Sequence, residues 1–534
     1  MAGRRLLIAL GGAFCLVILV RTAWLSELSY LTLRTIEHAA TGYGLRWNVD
    51  ERVQAFDHPL WMLLLLAGRL LTGDSYYTTL VLSVTLSVVT VVLVLSRASG
   101  PAGVVLGAVL LSTSWSFVTF STSGLEGPLA HLLIVLFGVV WLAPSGARGW
   151  RGAAALAGAA GVTHPATFLV TMPALAATRD RDGAHDDRPT EVGRYEGPTK
   201  IGPYRTSDVR VWLLPFAPIL AWGMFAAFYY GTPVPTPVLA EWTEGAGLLD
   251  RVHAAGRLLA YMLRNDPLTL AVIAAGITLA WRRGHEHRGL AAGLTLYIFV
   301  LAFWAGDGMP GRWLALPFVI TTLLIVRYPG VERPVTLGAA VAVALALAAV
   351  PPLATIRSDV RFGTAAERFG HRDSRATDFP ATGLLHDIRQ WYPPTHPEAK
   401  RGSLAWQDSN RVKTSPHPAF FGFAAGHGVH VIDVAGRTDP LLARMPPAGP
   451  AAFPAGASRQ LPRGYEASLP DRANAIAGPA LAAYYNRVRF VTRGSLLDPW
   501  RVVAAARLAL ERPPSDGGGR PEGRRHDDRE ARVR

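Results

Sequence analysis

Cysteine is almost absent from this chain, with Cys15 the only one among 534 residues. That excludes an internal disulfide and a cysteine-based zinc site. Charge is scarce too: 17% of residues are Asp, Glu, Lys or Arg, against 50% hydrophobic. A soluble chain of this length carries more charge, spread over its surface. Lysine is rare beside arginine, although the formal net charge is +14. The basic residues stand singly or in pairs at the ends of apolar runs. A nucleic-acid surface would group them on one face with aromatics interleaved, so no nucleic-acid partner is expected.

What is present is a series of long apolar runs, at 5–23, 76–96, 101–120, 127–143, 211–230, 267–281, 289–305, 312–326 and 335–355. Each approaches the roughly 20 residues a helix needs to cross a bilayer. The longer stretch 152–177 is interrupted at Thr163-His164-Pro165. Proline disfavours helix at the residue before it, which predicts two helices meeting at a break. The expected fold is a polytopic α-helical membrane protein with about 11 crossings. Arg4 and Arg5 precede the first run, and Arg21 to Leu25 offers no small-residue cleavage site, so this run reads as an uncleaved helix.

Loop charge orients the set. With Arg4 and Arg5 inside, the inner connections carry Arg97, Arg148 and Arg151, Arg179 and Arg181, Arg282, Arg283 and Arg288, then Arg327 and Arg333. Every one is basic, as the positive-inside rule requires. The outer connections, including 24–75 and 231–266, are richer in Gly, Pro, aromatics and acids. Residues 1–357 form the membrane domain on this reading, with an inner loop at 178–210. Residues 358–512 form an outer domain of mixed α/β character, and 513–534 a disordered tail. The short apolar segment 59–72 lies in the outer interface or re-enters.

Ionisable residues near the membrane gather on the outer side: Glu27, Arg34, Glu37, Asp50, Glu51, Arg52, Asp57, Glu126, His164, Asp307 and Arg312. Such groups are costly there unless they pair or serve a site. An arginine or histidine suits a lipid phosphate, and a carboxylate suits an incoming hydroxyl. Plainer roles stand beside these. Glu27 can pair with Arg34, Asp307 with Arg312, and Glu126 with a helix N-terminus. His164 can satisfy the broken helix, and Asp50 and Glu51 can shape a turn. Trp61, Trp222 and Trp304 fit an interfacial aromatic belt.

Several segments resemble one family in collinear order. They are Trp24 to Arg34, Gly42-Tyr43-Gly44-Leu45, Glu51-Arg52-Val53, Pro59-Leu60-Trp61, Ser123-Gly124-Leu125-Glu126-Gly127-Pro128-Leu129, Tyr229-Tyr230-Gly231 and Gly306-Asp307-Gly308-Met309-Pro310-Gly311-Arg312. Ile432-Asp433, Thr438-Asp439-Pro440, Leu461 to Tyr465 and Tyr484-Tyr485 continue the series. Together they resemble polyprenyl-phosphate-sugar-dependent glycosyltransferases of the C superfamily (GT-C), nearest the terminal β-(1→2)-arabinofuranosyltransferases and their bacterial relatives. The resemblance implies a multi-pass protein of the bacterial plasma membrane, a polyprenyl-phosphate sugar donor and a cell-envelope glycan acceptor. It implies Glu27 as catalytic base and Arg34, Glu51, Glu126, His164, Asp307 and Arg312 around the substrate phosphate. Asp433 and Asp439 would touch the acceptor, or merely form turns. A divalent cation is admitted, though no ligand cluster in the sequence demands one. Two departures stand out. The family's Asp-Asp pair reads Glu27-Leu28, and its Arg-Pro-acid triplet reads His164-Pro165-Ala166. They leave room for a non-enzymatic role in envelope assembly or regulation.

Overall fold

The computed structural model describes residues 2–143, 147–183, 213–243, 247–304, 309, 311–348, 367–368, 371–385, 394–448, 458–470 and 472–514. Asp307, most of the inner loop 178–210, the domain boundary near 358 and the tail beyond 514 lie outside the described residues.

The chain is predominantly helical. Helix α1 spans Ala2–Thr22 and α2 Glu27–Ala40, the latter opened by Ser26, whose Oγ accepts from the Ser29 N–H. Helix α3 (Pro59–Thr72) begins with proline, where no N–H is required, and stops at Gly73 with φ +79°. Then follow α4 (Tyr76–Ser96), α5 (Pro101–Thr113), α6 (Trp115–Phe120), α7 (Gly127–Trp141), α8 (Ala147–Thr163) and α9 (Thr167–Gly183). After residues 184–212 come α10 (Ala217–Tyr229), α11 (Thr236–Thr243), α12 (Leu248–Asn265), α13 (Pro267–Arg282), α14 (His285–Trp304), α15 (Arg312–Val326) and α16 (Pro334–Ala348). The C-terminal part holds α17 (Ser374–Thr382), α18 (Pro397–Ala405), α19 (Pro418–Ala425), α20 (Pro479–Arg493) and α21 (Pro499–Leu510).

Its β content is small. Strand β1 (Glu367–Arg368) pairs antiparallel with β2 (His371–Arg372), and β3 (Val412–Thr414) pairs parallel with β4 (His430–Ile432). The expected mixed α/β domain is therefore, among the described residues, helices and loops with two short strand pairs.

Helices α1 and α4, of 21 residues each, are long and apolar enough to cross a membrane. At 1.5 Å per residue each reaches about 31 Å. The other apolar helices among the described residues are shorter, at 10–17 residues. Helices α12 and α13 qualify only together and are bent by 106° at their junction. The sequence runs and the helices differ for local reasons. The run 101–120 breaks at Ser114, whose extended backbone (ψ 118°) and Oγ, accepting from the Phe117 N–H at 3.1 Å, start a new helix. The break at Thr163-His164-Pro165 is present as expected, between α8 and α9. The region 231–266, expected as an outer loop, holds α11 and α12.

Among the described residues, three apolar cores hold the molecule. The largest runs through α7 and α15, with Ile134, Phe137, Phe318, Val319, Ile320 and Leu323 fully or almost fully buried. A second joins α2 and α3 to the C-terminal part, packing Tyr30, Trp47, Phe56 and Trp61 with Phe420, Phe421, Val429 and Val431. The third lies wholly in the C-terminal part, around Leu481, Tyr465, Tyr484 and Tyr485. The stretch 399–431 thus shares its core with residues of the stretch 23–65.

Candidate functional site

Three backbone devices converge on one place. His58 (φ −124°, ψ 71°) precedes Pro59, which disfavours helical geometry at it, and so the pair Asp57-His58 enters α3 in a fixed pose. Gly124 has φ +80°, and a Cβ there would stand 2.7 Å from Leu25 Cδ2 and 2.8 Å from Ser29 Cβ. Only glycine lets that loop close against α2 and deliver Glu126. Trp61 Nε1 donates to the Gly124 carbonyl at 3.0 Å and pins the same loop to α3. Gly311, with φ +91°, turns the chain into α15 and presents Arg312.

Glu126 is the hub. Arg312 Nη2 donates to its two oxygens at 2.9 and 3.0 Å. His58 Nδ1 stands 3.5 Å from Oε2, and His164 Nδ1 3.6 Å from Oε1. His58 Nδ1 also meets Asp57 Oδ1 at 2.7 Å, while its Nε2 lies 3.0 Å from Thr32 Oγ1. With Nδ1 facing two carboxylates, the proton belongs on Nδ1. Trp313 closes the group: the Arg312 guanidinium lies 4.6 Å over its ring, and the His164 ring centroid is 4.6 Å away.

The electrostatics follow from burial set against pairing. For Glu126, burial pushes the carboxyl up, but Arg312, His58 and His164 outweigh it and hold it low. Asp57 is treated the same way, chiefly by its hydrogen bond from His58, and it too lies below the ordinary range. Burial pulls His164 down, Arg312 adds to this, and Glu126 only partly opposes it, so its imidazole is neutral at neutral pH.

These side chains floor a cavity of about 490 Å³, lined at its base by Thr32, Asp57, His58, His164 and Arg312. Leu28, Leu31, Phe56, Leu169 and Leu301 are among its apolar walls, and Arg251, Arg437, Glu241 and Trp242 also line it. Glu126 lines instead a separate void of about 20 Å³ behind Arg312 and His164. Asp57 is the accessible carboxylate at the base, with 40% of its side chain exposed.

Helical geometry separates the residues singled out from the sequence. On α2, Leu28, Leu31 and Thr32 face the cavity, while Glu27, Tyr30 and Arg34 face the C-terminal part. Glu27 does not line the cavity; its Oε2 meets His417 Nδ1 at 2.9 Å, and its N–H donates to Asp378 Oδ2 at 2.7 Å. Nor does it pair with Arg34. That arginine is buried and donates to three backbone carbonyls: Trp47 at 2.8 Å, Val429 at 2.8 Å, and Gly422. Burial draws its pKa down to about 9, against the pull of Asp50. All three nitrogens are occupied in joining two parts of the fold, so Arg34 is placed as a strut, away from any phosphate in the cavity.

Glu51 is buried in a different cluster. Arg493 Nη2 bridges Asp50 at 2.8 Å and Glu51 at 3.3 Å, and His430 Nδ1 meets Asp50 Oδ1 at 2.8 Å. Asp433 accepts from the Ala435 and Arg437 N–H groups, and Asp439 from those of Leu441 and Leu442. Both shape turns, and neither lines the cavity. His164, Glu126 and Arg312 are brought together, whereas Glu27, Arg34 and Glu51 are not. His58, Thr32 and the role of Asp57 went unrecognised; the signal was an ionisable pair locked before Pro59.

Among the described residues, no group of three or more His, Cys, Asp and Glu is placed to hold a metal ion. The donors explain why: Glu126 gives both oxygens to Arg312, and His58 Nδ1 is held by Asp57. A divalent cation does not fit this set.

No family model, curated protein or solved structure matches this chain.

Proposed function

We propose that the protein is an integral membrane glycosyltransferase, moving a sugar such as arabinofuranose from a polyprenyl-phosphate donor to a cell-envelope glycan. On this reading it crosses the bacterial plasma membrane about eleven times, with its N-terminus inside and its C-terminal part outside. The observation that carries the reading is the cavity itself. A polar base holding the Asp57 carboxylate, a neutral imidazole and the Arg312 guanidinium lies under apolar walls, which suits a phosphate attached to a lipid. Asp57 takes the proton of the acceptor hydroxyl as its oxygen bonds to the anomeric carbon. The bond from that carbon to the phosphate oxygen breaks, and the electron pair leaves with the polyprenyl phosphate beside Arg312. Glu126 acts as a positioning residue, holding Arg312, His58 and His164 at the base.

The resemblance puts the base at Glu27, and the geometry favours Asp57. Purified full-length protein given radiolabelled polyprenyl-phosphate pentofuranose and a cell-wall glycan separates the two. Asp57→Asn is expected to lower transfer by on the order of 10²-fold or more, with Glu27→Gln keeping most of it. The opposite pattern returns the role to Glu27. One observation favours a second reading, a non-enzymatic envelope protein on the same scaffold: Arg312 is already neutralised by Glu126. Absence of transfer from every donor would support that reading.

A further inference from the structure

Helix α12 stands at 106° to the apolar helix α13. One residue holds the bend. Asp266 is fully buried between them, and its Oδ2 accepts from the Ser116 N–H at 2.8 Å, Ser116 Oγ at 2.6 Å and Thr269 Oγ1 at 2.6 Å. Its Oδ1 accepts from the Thr269 N–H at 3.3 Å, which caps α13. Four donors on one carboxylate tie the start of α13 to α6, so the angle is built into the packing.

The faces of α12 are sharply divided. Ala254, Tyr261 and Met262 are buried. Leu248, Val252, Leu259 and Leu263 recur at intervals of four, seven and four residues, which places them on one face. With Leu249 beside them, these side chains are 48% to 73% exposed. A stripe of leucines this long is not left to water. Next to it on the helix lie His253, Arg257 and Arg264, and Asp250 is the one acid in α12.

We propose that α12 lies in the plane of the outer membrane interface, with its leucine stripe among the acyl chains and its basic flank on anionic lipid phosphates. The inference rests on the membrane reading above. A helix set at a right angle to a spanning segment runs along the surface, and leucines flanked by arginines match the boundary between acyl chains and anionic headgroups. A second copy of the chain would meet the same basic flank with its own. Arg251 of α12 and Trp242 of α11 also line the 490 Å³ cavity, so one element faces both the lipid and the cavity.

The test uses the full chain with Cys15→Ser, reconstituted in phosphatidylcholine vesicles with and without phosphatidylglycerol. Nitroxides are placed singly through Leu259→Cys, His253→Cys and Val89→Cys, the last on the spanning helix α4. Collision with oxygen and with a water-soluble nickel chelate reads depth. The Leu259 label is expected about 5–10 Å below the headgroup boundary, the His253 label within reach of nickel, and the Val89 label in lipid. The Leu259 label is expected to rise when phosphatidylglycerol is omitted; a depth that ignores lipid charge overturns the arginine contact. A nickel-accessible Leu259 label beside a lipid-facing Val89 label overturns the placement of α12 and leaves the membrane reading intact. Nickel access at both positions overturns the two together. Spin–spin broadening at Leu259 would put a second copy on the stripe, and would overturn the proposal.

Discussion

Glu126 shows how one side chain can organise a site without reaching into it. Its two oxygens sit within 3.0 Å of Arg312 Nη2 and within 3.6 Å of two imidazole nitrogens. Removing it leaves a buried cation without its counter-charge, a change that costs about 3–5 kcal/mol. Glu126→Ala should therefore lower the thermal midpoint of the detergent-solubilised protein markedly. The double variant with Arg312→Ala should recover part of that loss, with a coupling above about 1 kcal/mol. Strictly additive losses would mean that the pair does not hold the site together. Asp57 differs in kind, because it is held by His58 yet open to the cavity, and Asp57→Asn should act on chemistry far more than on stability.

At the scale of the element, α2 is the informative case. That a stretch mixing apolar and ionisable residues follows the first apolar run is legible in the sequence, but the distribution of its faces is not. A 3.6-residue period says that Glu27 and Leu28 point about 100° apart; it does not say which of them meets a cavity. That was decided by α19, which packs Phe420 and Phe421 against Tyr30 and Trp47 and draws Glu27 and Arg34 to its side. Arg34→Lys keeps the charge but cannot fork to three carbonyls. It should cost at least about 3 kcal/mol in thermal or denaturant unfolding, while Glu27→Gln should cost less. Equal losses would remove Arg34 as the strut. Helix α12 escaped notice for a different reason: its leucines alternate with charge, so a search for apolar runs passes over it. Read at helical spacing, the same residues form a stripe.

Across the whole molecule, the segment holding Asp50 and Glu51 and the C-terminal part are joined by an ionic cluster that responds to pH. Burial and the nearby Glu51 raise Asp439 to about 7, above an unfolded value of about 3.9. The folded state therefore holds an extra proton, and the stability this gives is full below about pH 4 and is lost as pH rises through 7. His430 works in the same sense: burial lowers it, but the hydrogen bond and charge of Asp50 raise it overall. Its contribution is full below about pH 6.5 and is lost above its folded value. Asp50 works oppositely. Burial raises it, His430 and Arg493 outweigh that, and its contribution is lost on acidification below about pH 3.9. Stability should thus peak near pH 4 and fall as pH rises through 7, with the His430 part of the fall beginning above about pH 6.5. Asp439→Asn should flatten the fall, as read from thermal midpoints across pH; an unchanged slope would exclude Asp439 as its source.

Composition and charge placement were enough to establish that this chain is built mainly of apolar helices, since hydropathy and the basic residues at run ends are properties of segments taken one at a time. The break at His164 was equally local, because proline acts on its own neighbour. The meeting of Asp57, His58, Glu126, His164 and Arg312 is another matter. These residues come from four separate stretches of chain, and only packing brings them together. The diversion of Glu27 and Arg34 to the C-terminal part has the same cause. A carboxylate on a helix acquires its role from what packs against that face, and that partner lies 390 residues away for Glu27.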